Sequence, residues 1–415
     1  MKCLAWLGAL SFLMMALAVP ASAAICNIDV APAATLLLPY FEVNLDDPNG
    51  LTTLVSVNNS STQAVLAHLT VWSDMSVPVL AFNIYLTGYD VQTINLRDIL
   101  VTGNLPQTAS TGQDPLDSIS PKGPKSQDVD FASCTGQLPP PPLPGSFLQH
   151  LQASLTGKAS ALFNGQCAGR NLGDNVARGY ITFDTVSNCT LRDATNPLYF
   201  SSDISFQNVL WGDYAYVNST QNFANGGALV HIEASTTDPA TTTSGRYTFY
   251  GRYVGWNASD HREPLATTFG ARFALNGQFN GGTSFVVWRD SKNSQLPFAC
   301  PASAGHPVWF PLPVEGNDIF NEQENVSALP AGFPSPFPAA TQRTKVNSPD
   351  LPVPYFFGWM FLDLNATLTG NPNPPFDAAA DQAWVIYDMD SNGHFSVGSE
   401  ALRLDSACAP NHTVP

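Results

Sequence analysis

Ala64-Val65-Leu66-Ala67-His68-Leu69-Thr70-Val71-Trp72 reads as a β-strand rather than a helix. Ala67, Leu69 and Val71 alternate with His68 and Thr70, the two-residue period of a strand with one buried face. The period is imperfect, because Leu66 and Trp72 fall on the polar side. Turn residues bound the segment, Asn58-Asn59-Ser60-Ser61 before it and Ser73-Asp74 after it. Residues 52–57, 79–86 and 91–96 are equally short and rich in β-branched and aromatic side chains. Short strands separated by turn signals every ~8–12 residues are the pattern of a sandwich. The chain is therefore expected to be mainly β. It opens with an immunoglobulin-like β-sandwich over 24–102 that lacks the Cys–Trp–Cys core of antibody domains.

The chain has 415 residues, more than one ordinary core accommodates. Residues 1–23 have the order of a secretory signal peptide: Lys2, an apolar run from Leu4 to Val19, a break at Pro20, then the small residues Ala21-Ser22-Ala23. No later run is apolar enough for a spanning helix. The expected location is secreted, periplasmic or cell surface. Residues 103–175 read as a Pro-rich, partly helical insert or linker. It contains Pro139-Pro140-Pro141-Pro142, then Ser146 as a cap for a helix carrying Phe147, Leu148, Leu151 and Leu155, with Gly157 as the stop. Residues 176–415 form a larger β-rich domain, with strands expected at 179–186, 208–217, 228–234, 247–254, 283–288, 356–364 and 383–387. A short helix is expected within 260–273, where Pro264 fits a first turn. The Pro-rich stretch 329–354 reads as a surface loop.

The formal net charge is −16, and loss of Lys2 with the leader makes the mature chain more negative. That balance excludes nucleic acid as a natural partner, because phosphate binding needs a basic face. Six cysteines follow the leader: Cys26, Cys134, Cys167, Cys189, Cys300 and Cys408. An even set in an exported chain reads as disulfides, and without a C-x-x-C pair a zinc site has no support. Cys134 and Cys167 flank the same insert and are the pair that spacing suggests first.

Three features carry candidate chemistry. Asp388-Met389-Asp390-Ser391-Asn392-Gly393-His394 is similar to the D-x-D-x-N-G calcium loop, with oxygen donors at alternate positions and a glycine at the sharp turn. Calcium would take side-chain oxygens from Asp388, Asp390 and Asn392 and the His394 carbonyl. Position twelve is Ser399, with Glu400 one later, so the bidentate carboxylate of an EF-hand is out of place. A β-hairpin turning at Asn392-Gly393 explains the same residues without a metal. The second feature is a charge cluster in a chain with only 12% charged residues: Asp260, His261 and Glu263, with Asp290 further on and Glu233 near His231. These are the candidate catalytic acids and base. The alternative for them is a structural network in which arginines fasten loops. The third is tryptophan. Trp359 and Trp384 sit in apolar segments and are expected in the core, whereas Trp211 and Trp256 adjoin polar turns and are candidates for stacking on a sugar.

There is no G-x-S-x-G elbow, P-loop or G-x-G-x-x-G. The reading that follows is an exported, disulfide-stapled, non-enzymatic binding, adhesion or envelope-structural module. Its partner would be an extracellular or cell-surface ligand, of which a glycan is one class. The alternative is a secreted hydrolase acting on glycan or another extracellular polymer, with acids from the 213–290 region. Facing carboxylates in an open cleft favour the enzyme, and acids paired to arginines favour the module.

Overall fold

The computed structural model describes residues 30–108, 131–235, 248–254, 260–290, 296–300, 306–307, 309–330, 332–365 and 382–405. The leader 1–23, Cys26, Cys408 and Trp256 lie outside the described residues. The chain is mainly β. In chain order the strands are β1 (Thr35–Asn44), β2 (Thr52–Asn59), β3 (Val65–Ser73), β4 (Pro78–Leu86), β5 (Val91–Asn95), β6 (Val176–Val186), β7 (Leu210–Asn218), β8 (Phe223–Ala228) and β9 (Val230–Ile232). They continue as β10 (Thr268–Ala274), β11 (Gly282–Arg289), β12 (Gly316–Asn321), β13 (Val326–Ala328), β14 (Thr341–Lys345), β15 (Phe357–Asp363), β16 (Ala383–Ser391), β17 (Phe395–Glu400) and β18 (Leu402–Arg403).

The strands form four antiparallel sheets: sheet I, β5-β2-β7-β8; sheet II, β4-β3-β6-β1-β9; sheet III, β14-β11-β16-β17; and sheet IV, β13-β12-β15-β10-β18. Sheet II packs against sheets I and III, sheet III packs against sheet IV, and β8 of sheet I also meets β16 and β17 of sheet III. Leu36, Leu69 and Phe183 share one face of sheet II, where they pack with Val55, Val57 and Tyr214 of sheet I. At the other end, Phe285, Val287 and Val385 of sheet III pack with Phe269, Phe273, Met360 and Leu362 of sheet IV. Between these two apolar layers, sheets II and III meet. Trp72 of β3 stacks on Tyr180 of β6 at 5.7 Å, and Tyr180 meets Trp288 of β11 edge-on at 5.9 Å. The opposite face of sheet III, with Val286, Trp288 and Ile386, thus joins the first core.

Burial on both faces explains why the inner strands do not alternate cleanly. All nine residues of β3 are buried, including Leu66 and Trp72. β1 carries no alternation and was not expected as a strand, yet it lies between β6 and β9 with nine of its ten residues buried. Its Pro39 falls where the register with β6 shifts between Leu38 and Phe41, a place where the ladder can spare an N–H. The sheets also run across the expected boundaries at 102/103 and 175/176. β6 is the middle strand of sheet II, and β7 pairs with β2 in sheet I.

Several local expectations are corrected. Residues 247–254 contain a short helix, Gly251–Val254, instead of a strand. Pro264 starts no helix; residues 263–267 form no regular element and lead into β10. The stretch 329–354 contains β14 and buries Phe337, Ala339, Val346 and Leu351. The insert helix α1 is Gly145–Leu155, so Ser146 lies inside its first turn and Pro144 occupies the cap. Gly157 does end it, in the left-handed region at φ +67, where an added Cβ would sit 2.1 Å from the Arg170 carbonyl carbon. Trp384 is 3% exposed as expected, but Trp359 is 37% exposed on the outer face of sheet IV.

Cys134 pairs with Cys189, and Cys167 with Cys300, at Cα separations of 5.0 and 5.2 Å. The suggested Cys134–Cys167 bridge is therefore not formed. Each bond ties the insert to a later part of the chain, across 55 and 133 residues. In the chain-entropy picture, closing loops of that length removes unfolded-state entropy worth roughly 4–5 kcal/mol per bridge. Non-reducing peptide mapping should recover both cross-linked peptides. Alkylation of either pair in the native protein would contradict the connectivity.

Candidate functional site

The seam between sheets II and III holds the charges. Directly opposed residues share a face, and Thr35, Asp184 and His68 form one such row across β1, β6 and β3. Asp184 is 1% exposed. Its Oδ2 accepts from the Tyr199 hydroxyl at 2.7 Å and the Tyr250 hydroxyl at 2.8 Å, and its Oδ1 accepts from Thr35 at 2.5 Å. Burial, reinforced by the Asp184 charge, raises both tyrosines well above their ordinary value, so they remain donors. Arg262 completes the group. Its Nε donates to Thr35 Oγ1 and lies 3.7 Å from Asp184, and its Nη1 lies 3.3 Å from Asp260 Oδ1. Burial opposes the Arg262 charge, but its neighbours, Asp184 and Asp260 foremost, favour it, and the guanidinium pKa is raised.

The candidate catalytic residues lie in and beside this network. Asp260, 0% exposed, spends Oδ2 on the Tyr250 amide at 2.8 Å. The Ala234↔Arg262 bridge sets Glu233 beside Glu263: the Glu233 amide donates to Glu263 Oε1 at 2.9 Å, and the Glu263 amide donates to the Glu233 carbonyl at 2.9 Å. The His261 ring stacks on Phe206 at 4.3 Å, with Nδ1 3.1 Å from the Ser235 carbonyl. Asp290 belongs to a second group, where it pairs with Arg252 and accepts from Gln382 Nε2 at 3.3 Å. Segment 248–254 connects the two, since Tyr250 serves Asp260 and Arg252 serves Asp290. Four of the five candidates therefore come together, and Asp290 stands apart. All four carboxylates are buried, and two are ion-paired to arginine. A glycosidase pair must instead flank a bound sugar and admit water.

A third charge group spans the seam nearer its edge. Arg343 of β14 reaches Glu42 of β1 at 3.1 Å and Asp388 of β16, and its guanidinium lies over the Tyr216 ring at 5.2 Å. Asn225 of β8 donates to the other Asp388 oxygen. The calcium-loop residues are thus divided. Asp388 is 3% exposed and turned into the seam, while Asn392 and His394 are exposed and Asp390 is half-buried. β16 and β17 form the expected hairpin, with Ser391 opposite Phe395 and the His394 amide bonded to the Ser391 carbonyl at 2.8 Å. Gly393 provides positive φ (+73) at the turn. Among the described residues no group of three or more His, Cys, Asp or Glu is placed to hold a metal ion.

Open space lies on the outside of the stack. The outer face of sheet I carries a groove of about 710 Å³. Its floor is a cross-strand row, Thr93–Ser56–Asp213, beside a second row, Asn95–Leu54–Ala215. Asp213 is exposed and accepts from Ser56 Oγ at 2.7 Å, and exposed Asp98 closes one end. Trp211 stands two residues before Asp213 on β7, half-buried and edge-on to His231 at 5.9 Å. Sequence reading singled out Trp211 but not Ser56, Thr93 or Asp98, which become neighbours only through β2 pairing with both β5 and β7. A second cleft, of about 550 Å³, is walled by Pro311, Pro313, Pro330, Pro334 and Phe333 beside sheet IV. No protein-family model matches this chain, and neither the curated proteins nor the solved structures give a match.

Proposed function

We propose that this is an exported, disulfide-stapled, non-enzymatic binding module, and that the groove on sheet I receives an extracellular glycan. The observation that carries the reading is the burial of every candidate catalytic carboxylate, with Asp260 and Asp290 ion-paired to Arg262 and Arg252. The groove has a complementary character. Thr93, Ser56, Asn95, Asp98 and Asp213 offer hydroxyl, amide and carboxylate partners for sugar hydroxyls, and Leu54 and Ala215 give an apolar floor for a ring face. Its acids suit a neutral or cationic polysaccharide. An open groove with few deep contacts predicts weak affinity, ~10⁻⁵–10⁻³ M per site.

Asp213→Ala should weaken retention on the recognised polysaccharide by ~10-fold or more while leaving the melting curve unchanged, because a side chain on the outer face holds no core. Trp211→Ala should act in the same direction. Affinity electrophoresis through a panel of neutral and amino-sugar polymers measures both. Retention that is unchanged in Asp213→Ala, or hydrolysis of a polymer abolished by Glu263→Gln, would refute the proposal.

A further inference from the structure

The outer face of sheet IV is aromatic. Phe357, Trp359 and Phe361 alternate along β15, and Phe320 of β12 stacks on Trp359 at 4.3 Å with planes 9° apart. Register completes two rows: Val326–Phe320–Trp359–Arg272 and Ala328–Asp318–Phe361–Gly270–Leu402. Val326, Phe357, Trp359 and Leu402 are 59, 48, 37 and 67% exposed. Their open apolar area is on the order of 500 Å², in the range of the largest patch a monomer usually shows. With its polar rim it approaches the ~800 Å² per partner of a standard interface.

The charges on this face are few and balanced. Arg272 on β10 and Asp318 on β12 flank the aromatic stripe of β15 from opposite sides. Neither side chain has a hydrogen bond or ion pair among the described residues. A two-fold axis in the plane of the face, crossing β15 obliquely between Trp359 and Phe361, exchanges the positions of Arg272 and Asp318. The same rotation lays Phe357 over Val326, and Phe320 against Trp359, of a second copy. The strands of the two sheets then cross steeply, toward the orthogonal class of sheet packing. We propose that the protein forms a homodimer through this face, with Arg272 of each copy paired to Asp318 of the other. An isologous contact requires such a self-complementary pattern. The net charge of −16 opposes random encounters between copies, so a face that is apolar and locally neutral is where two copies can meet. The grooves are lined by sheet I and not by this face, so the dimer contact does not occupy them.

Sedimentation of the full chain between about 1 and 100 μM tests this, since a contact of this size is expected to be micromolar. Wild type should pass from monomer to dimer with concentration. Arg272→Asp and Asp318→Arg should each weaken dimerisation at least ~10-fold, because each places two like-charged pairs at the contact. An equimolar mixture of these two variants should dimerise again, since each mixed dimer regains two opposite pairs. Unchanged circular dichroism and melting establish that the variants fold. Wild type that stays monomeric, a dimer indifferent to both charge changes, or a mixture that stays monomeric would each overturn the proposal.

Discussion

Arg262→Met should destabilise the protein by about 3–5 kcal/mol, as expected when a buried ion network loses its cation. Arg262 is 0% exposed and lies among Asp184, Asp260, Thr35 and the Ser205 carbonyl, which its Nη2 reaches at 2.9 Å. Its removal leaves Asp184 and Asp260 inside the seam without their guanidinium. Methionine fills the volume but provides no donor, so the loss is electrostatic rather than a cavity effect. Chemical denaturation followed by circular dichroism measures the change. Asp260→Asn is the companion variant: it keeps shape and removes the charge, and should cost less because the amide still accepts from the Tyr250 backbone. A loss below ~1 kcal/mol for Arg262→Met would show that the network does not hold the seam, and would reopen the catalytic reading of these residues.

The second large effect is expected at Arg343. This residue joins β14 to Glu42 of β1 and Asp388 of β16, so Arg343→Met leaves Asp388 on a buried edge without its cation, while Glu42 keeps Arg178 at 3.5 Å. A cost of about 3–5 kcal/mol is again expected. Lysine should restore only part of it, because one ammonium cannot reproduce a planar fork that serves two acids and lies over the Tyr216 and Tyr40 rings. Hydrogen exchange separates local from global loss. Amides of β14, β8 and β17 should lose protection first, while β3 and β6 in the middle of sheet II keep theirs. Uniform loss across all four sheets would indicate that Arg343 stabilises the whole stack rather than this edge.

Period and turn chemistry made the outer strands legible. β2, β5 and β7 each alternate a buried side with a more open side that mixes polar and apolar residues, and their limits follow Gly, Asn, Asp and Ser clusters. The β16–β17 hairpin was legible in the same way, because Gly393 stands where the turn needs positive φ. β1 was not legible. Leu36-Leu37-Leu38-Pro39-Tyr40 has neither alternation nor a clean strand interior, and only its position between β6 and β9 makes an extended conformation the one that satisfies its backbone groups. Trp359 failed for the converse reason. Gly358, Met360 and Leu362 do face the core, but Trp359 alternates outward on a face that no other sheet among the described residues covers.

The candidate site divides along the same line. Local sequence identified a charge cluster at Asp260, His261 and Glu263, and it identified arginine pairing as the alternative to catalysis. It carried no sign that Asp184, 76 residues before Asp260 by numbering, is the acceptor at the centre. Thr35 and Arg262 are separated by 227 residues yet share a hydrogen bond. Composition, cysteine parity and the two-residue period, all local or global sums, determined a disulfide-bearing, mainly β, acidic chain. Which cysteines pair, which carboxylates are neutralised, and which aromatic rings remain open depend on strand order and on the meeting of sheets II and III. Those depend on contacts between distant segments, because each buried charge must find its partner wherever the folded backbone brings one.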